Sequence, residues 1–116
     1  MRHIEDALQI ACVSWFSLQY RQYARLLHHS PNGGKRNAKE AARFKAMGVR
    51  AGYPDLALHI ARSGYNGLFI ELKTATGRQT DLQKCYQIAL EEQVYRYEVV
   101  RSLEQFQNLI REYLKE

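Results

Sequence analysis

Asp55, Glu71 and Lys73 are the residues whose types and spacing could do chemistry. Each stands where the surrounding pattern is apolar: Asp55 opens the run Leu56-Ala57-Leu58, while Glu71 and Lys73 interrupt Leu68-Phe69-Ile70-Leu72. Strand side chains alternate between faces, so Glu71 and Lys73 project to the same side of a sheet, about 7 Å apart along the chain. Two carboxylates, with the Leu72 carbonyl as a third donor, suit Mg²⁺ or Mn²⁺, hard cations that take oxygen ligands and keep several waters for a substrate. Such an ion stabilises charge developing on a phosphoryl oxygen and lowers the pKa of a bound water, and Lys73 can position that water or the phosphate. That is a hydrolytic site. A cross-strand salt bridge on a solvated face uses the same three residue types and contributes little; residue types alone leave both readings open.

The elements that must position these groups are legible from periodicity and caps. Ile4, Leu8, Ala11, Trp15 and Leu18 recur at spacings of three and four, predicting an amphipathic helix over residues 4–20 with those residues on its apolar face. Leu26-Leu27-His28-His29 reads as a short strand, and Ser30-Pro31-Asn32-Gly33-Gly34 as a loop. Asn37, with Glu40 three residues on, opens a helix that Gly48 terminates in a left-handed conformation. Residues 55–60 and 68–73 form an antiparallel hairpin; a turn at Ser63-Gly64 sets Asp55 opposite residues 71–73. Thr80-Asp81-Leu82-Gln83 is a capping box that starts a helix ending near Gln93. A strand over 95–100 follows, and Ser102 with Gln105 starts a last helix carrying Leu103, Phe106, Ile110 and Leu114 on one side. The order helix, strand, helix, two strands, helix, strand, helix predicts an α/β fold, a mixed sheet flanked by helices.

Length and composition bound the rest. The 116 residues fit one domain spanning 1–116, and 46% hydrophobic against 25% charged residues is a folded, globular balance. No run is apolar enough to cross a bilayer, and the amino terminus lacks the pattern of a secretory signal, so a cytoplasmic address and no membrane partner are expected. Cys12 and Cys85 have no metal-ligand spacing and read as reduced, buried thiols. The four histidines lack the helical i, i+4 spacing of a zinc site and receive no catalytic role. Tyr53 reads as an aromatic packed beneath the site, with contact to DNA as the alternative.

A net charge of +5 favours a polyanionic partner. Lys35, Arg36, Lys39, Arg43, Lys45 and Arg50 gather around the glycine loop and second helix, where fixed cations could neutralise successive phosphates of DNA without reading sequence. The backbone of Asn32, Gly33 and Gly34 could approach a phosphate closely, although a plain turn explains those residues equally well.

Pro54-Asp55 followed by Glu71-Leu72-Lys73 resembles the PD-(D/E)xK nuclease superfamily. More narrowly, His29-Ser30-Pro31-Asn32-Gly33-Gly34, then Met47-Gly48-Val49-Arg50-Ala51-Gly52-Tyr53-Pro54-Asp55-Leu56, then Ile70-Glu71-Leu72-Lys73 and Gln83, is similar to the VRR-NUC family of virus-type replication and repair nucleases. The likeness covers nearly the whole chain. It implies a restriction-endonuclease-like core in which Asp55 and Glu71 bind the divalent ion, Lys73 serves the attacking water and Gln83 supports the site; as the last member of its capping box, Gln83 also has a purely structural role open to it. Glu5 resembles the acidic residue that these nucleases place on the first helix near the metal, and a carboxylate favouring the helix dipole is the alternative. Gln93 and Val94 depart from the family, whose members often carry glycine before the last strand. Stand-alone members of this size look like structure-specific endonucleases that resolve four-way (Holliday) junctions as homodimers. Flap or end processing, or a non-catalytic module that binds structured DNA, are the alternatives.

Overall fold

The computed structural model describes residues 2–31 and 37–115. The sequence-predicted contributions of Asn32, Gly33, Gly34, Lys35 and Arg36 lie outside the described residues.

The chain runs α1 (Arg2–Gln19), a 3₁₀ turn (Arg21–Leu26), β1 (Leu27–His29), α2 (Ala38–Ala46), β2 (Leu56–Leu58), β3 (Leu68–Leu72), α3 (Asp81–Glu92), β4 (Arg96–Val100) and α4 (Leu103–Tyr113). The strands form one mixed sheet in sequence order, with β1, β2 and β3 antiparallel and β4 parallel to β3. A parallel neighbour needs a crossover, and α3 is that crossover. The α/β architecture follows the expected order; the 3₁₀ turn is the one element the periodicity did not mark.

Local chemistry sets the ends of the helices. Asn37, Thr80 and Ser102 each accept a hydrogen bond from the backbone N–H three residues later, filling one of the donors a helix start leaves open. At the end of α2, Gly48 lies at φ +112°, its N–H bonded to the Lys45 carbonyl and that of Val49 to Phe44. The end of α3 repeats this Schellman arrangement, with Val94 N–H to Glu91 and Tyr95 N–H to Leu90, but a valine holds the left-handed position at φ 66°. Thus Val94 occupies a backbone conformation that glycine adopts freely.

Alternation along β3 divides the core. Leu68, Ile70 and Leu72 face α1 and α4, where they meet Cys12, Phe16, Phe106 and Ile110. Each large apolar side chain buried there contributes roughly 1.5–3 kcal/mol. Phe69 faces the other way and joins Ala57, Tyr97, Tyr53 and Leu90 under α3. Glu71, two residues after Phe69, shares this second face.

The predicted apolar face of α1 is corrected. Ile4 and Leu18 are 59% and 68% exposed, while Cys12 and Phe16 are fully buried with Leu8, Val13 and Trp15 against the core. The stripe that seats on the sheet therefore runs through residues 8, 12 and 16, with Trp15 edge-on to Phe106 of α4. The helix carries apolar residues on more than one side, so spacing alone did not fix its rotation. Of the two thiols expected to be buried, only Cys12 is; Cys85 lies on the exposed side of α3.

Candidate active site on strands 2 and 3

The hairpin register brings the acidic groups together. Arg62 and Tyr65 exchange backbone bonds across Ser63 and Gly64, both at positive φ, which is the geometry of a two-residue type I′ turn. The ladder then pairs Leu56 with Ile70, so one further step sets Asp55 opposite Glu71 on the α3 face. Asp55 extends the ladder with its side chain: Oδ2 accepts the Leu72 N–H at 2.7 Å. The Lys73 N–H bonds to Val100 on β4, so the peptide groups of Leu72, one residue earlier, point towards Asp55, its carbonyl included.

Two neighbours fix the approach of this segment. Pro54 is fully buried. Gly52 lies at φ +82°, and a β-carbon on it would stand 2.7 Å from that of Leu82, so the loop entering β2 rests directly on the first turn of α3. On the far side, His29 Nδ1 lies 2.7 Å from the Asp55 carbonyl. A carbonyl only accepts, so Nδ1 carries the proton and donates it.

Glu71 is 0% exposed. Its Oε1 accepts from the Tyr97 hydroxyl and, at the 3.5 Å limit of a hydrogen bond, from the Gln79 amide. Gln79 is itself held by Gln87 at 2.9 Å. Glu71 Oε2 has no hydrogen-bond partner, and Lys73 Nζ stands 3.7 Å away, close enough for attraction but too far for a hydrogen bond.

The electrostatics follow from burial. Loss of solvent pushes the Asp55 carboxyl above the ordinary carboxylate range; the Leu72 N–H draws it back, the charges of Glu71 and Glu5 push it further up, and His29 lowers it. Glu5 on α1 is thus within electrostatic reach of Asp55. Burial, followed by the Glu71 carboxylate, raises Tyr97 far above a free phenol, which keeps its hydroxyl a donor.

Of the residues singled out from sequence, Asp55, Glu71, Lys73 and the Leu72 carbonyl come together, and Glu5 reaches them only through its charge on Asp55. Gln83 is engaged elsewhere: its Oε1 accepts the Thr80 N–H at 2.8 Å, closing the capping box, and the amide beside Glu71 is that of Gln79. Sequence reasoning passed over Tyr97 and Gln79, since a strand tyrosine and a loop glutamine carry no pattern, and it gave His29 no catalytic role. Tyr53 stands edge-on to both Phe69 and Tyr86, as expected of an aromatic beneath the site. Lys39, Arg43, Lys45 and Arg50 are all exposed. Arg43 lies over the Phe44 ring and Arg50 donates to the Lys45 carbonyl.

Among the described residues no three histidine, cysteine, aspartate or glutamate side chains form a metal-binding cluster. Two carboxylates, a strand carbonyl and a buried carboxylate oxygen left without a donor nevertheless fit a small hard cation, which commonly takes one or two carboxylates and retains waters.

No helix among the described residues is long and apolar enough to cross a membrane. The VRR-NUC domain family matches residues 3–104. A solved structure titled "VRR_NUC domain protein" superposes with a TM-score of 0.84 at 36% sequence identity, covering 96% of this chain and 88% of that one. No curated protein matches the chain. With most of its length matched by the family and its whole fold shared with a solved relative, the chain belongs to the VRR-NUC family and is a nuclease-type domain.

Proposed function

We propose that the chain is a divalent-cation-dependent endonuclease that hydrolyses phosphodiester bonds in branched DNA and resolves four-way junctions as a homodimer. The observation that carries this reading is Glu71, wholly buried on a sheet face with one carboxylate oxygen lacking any hydrogen-bond donor, in register with Asp55. A buried carboxylate in that condition costs several kcal/mol unless a cation offsets it, and the Lys73 ammonium at 3.7 Å offsets it only in part.

Asp55, Glu71 and the Leu72 carbonyl would hold Mg²⁺ or Mn²⁺, with Glu5 as a further carboxylate nearby. When bound, the cation supplies Lewis-acid stabilisation of the phosphoryl oxygens and lowers the pKa of a coordinated water. Lys73, on the same face as Glu71, orients the attacking water or the scissile phosphate. The ladder bond from Leu72 keeps the Asp55 carboxylate from rotating, and the Gly52 contact seats the whole segment against α3. Exposed Lys39, Arg43, Lys45 and Arg50 neutralise phosphates on either side of the cut. Two such sites related by a two-fold axis match the two symmetric strands of a four-way junction.

Labelled four-way, flap and linear DNA incubated with Mg²⁺ or Mn²⁺ tests the proposal. Cleavage of the four-way substrate in preference to the others is expected, and Glu71→Gln should abolish it while preserving the fold. Absence of cleavage on every substrate overturns the enzymatic reading; equal or greater cutting of flaps and ends replaces junction resolution with end processing.

A further inference from the structure

Resting on the metal-site reading above, we infer that Tyr97 is a positioning residue that selects which oxygen of Glu71 is left for the cation. The parallel register sets Tyr97 beside Phe69, one step diagonal to Glu71 on the face covered by α3. From there its hydroxyl donates to Glu71 Oε1, and the Gln79 amide, anchored on Gln87, approaches the same oxygen. Both donors meet Oε1; Oε2 has none and faces Lys73.

This asymmetry has a physical consequence. An aspartate or glutamate carboxylate without fixed donors can rotate and present either oxygen, and the cation must then order it on binding. Hydrogen bonds to one oxygen impose that order in advance, and loss of such outer partners commonly weakens metal affinity or activity by about 10- to 100-fold. Tyr97 suits the task because its ring is packed with Ala57 and Phe69, which leaves the hydroxyl little freedom. The role differs from that of Lys73, whose charge offsets Glu71 without donating to it.

The experiment is a calorimetric titration of the full chain with Mn²⁺, without DNA, comparing wild type, Tyr97→Phe, Gln79→Ala and Glu71→Gln, alongside melting of each without metal. Tyr97→Phe keeps the ring and removes only the donor. Its Kd for Mn²⁺ should rise about tenfold, and Gln79→Ala should give a smaller rise because its contact is at the limit of bonding distance. Junction cleavage by Tyr97→Phe should recover most of the wild-type rate once Mn²⁺ is saturating, which a general loss of folding would not allow. A Kd for Tyr97→Phe equal to wild type, in a chain whose wild type binds Mn²⁺ and whose Glu71→Gln does not, overturns the inference and leaves the metal site standing. Failure of wild type to bind Mn²⁺, or unchanged binding by Glu71→Gln, overturns both. If Tyr97→Phe is unfolded at the titration temperature, Gln79→Ala decides, and an unaltered Kd there overturns the positioning of Oε1.

Discussion

At the scale of single residues, burying charge costs stability, and Asp55 shows the cost most directly. Burial raises its pKa in the folded chain above the value it has unfolded, with the charges of Glu71 and Glu5 adding to the rise. The folded state therefore binds the proton more tightly than the unfolded one, and the stability that this supplies is present below the unfolded pKa and lost as pH rises through the folded value. At neutral pH the ionised carboxylate is a cost. Asp55→Asn removes the charge while its amide oxygen can still accept from Leu72, so metal-free Asp55→Asn should melt above wild type at pH 7, with the gap closing as pH falls through the carboxylate range. Melting curves across pH check this, and a variant less stable than wild type at pH 7 would show that the Asp55 charge is already compensated. If Asp55 holds the cation as proposed, cleavage should fall by about a thousandfold or more, since each factor of ten corresponds to ~1.4 kcal/mol and a metal ligand supplies several.

At the scale of elements, two glycine-type positions make opposite predictions. Gly52 needs both its left-handed φ and the absence of a β-carbon, because α3 occupies the space beside it. Gly52→Ala combines backbone strain of about 1–2 kcal/mol with overpacking of about 1–3 kcal/mol, so a loss of roughly 2–5 kcal/mol is expected in denaturant titration. Gly48→Ala, with open space around it, should lose only the backbone part. Val94 is the reverse: half exposed and at φ 66°, it gives up little packing when truncated, so Val94→Gly should gain about 1 kcal/mol. The same elements show how far the sequence could be read. Caps at Asn37, Thr80 and Ser102, the Ser63-Gly64 turn and the facing of Asp55 and Glu71 were legible because local chemistry writes them into neighbouring residues. The rotation of α1 and the donors to Glu71 were not, since they depend on which surfaces meet: Tyr97 acquires its partner from the register of a strand that arrives only after a twelve-residue helix. Gln83 illustrates the opposite risk, because two roles shared one spacing and the structure displays the capping one.

At the scale of the whole molecule, the proposed function requires the chain to hold branched DNA over one site. On the proposed reading the net charge of +5 supplies attraction without register, and the short exposed row of Lys39 and Arg43, one turn apart on α2, supplies direction. Counterion release then dictates the form of the affinity: the logarithm of the binding constant falls with that of salt concentration by about 0.9 for each phosphate neutralised on duplex DNA. If Lys39 and Arg43 each meet one phosphate, Lys39→Ala with Arg43→Ala should make the slope shallower by about 2 and weaken binding alike for four-way and linear DNA. Neither residue touches Glu71 or Asp55, so the Kd for Mn²⁺ should not change. Fluorescence anisotropy over a salt series, with inactive Glu71→Gln as the background to prevent cutting, reads the slope. An unaltered slope would mean that this helix faces solvent and that DNA is held elsewhere, whereas a loss confined to the four-way substrate would mean that the row reads the branch itself, not the phosphate chain common to both.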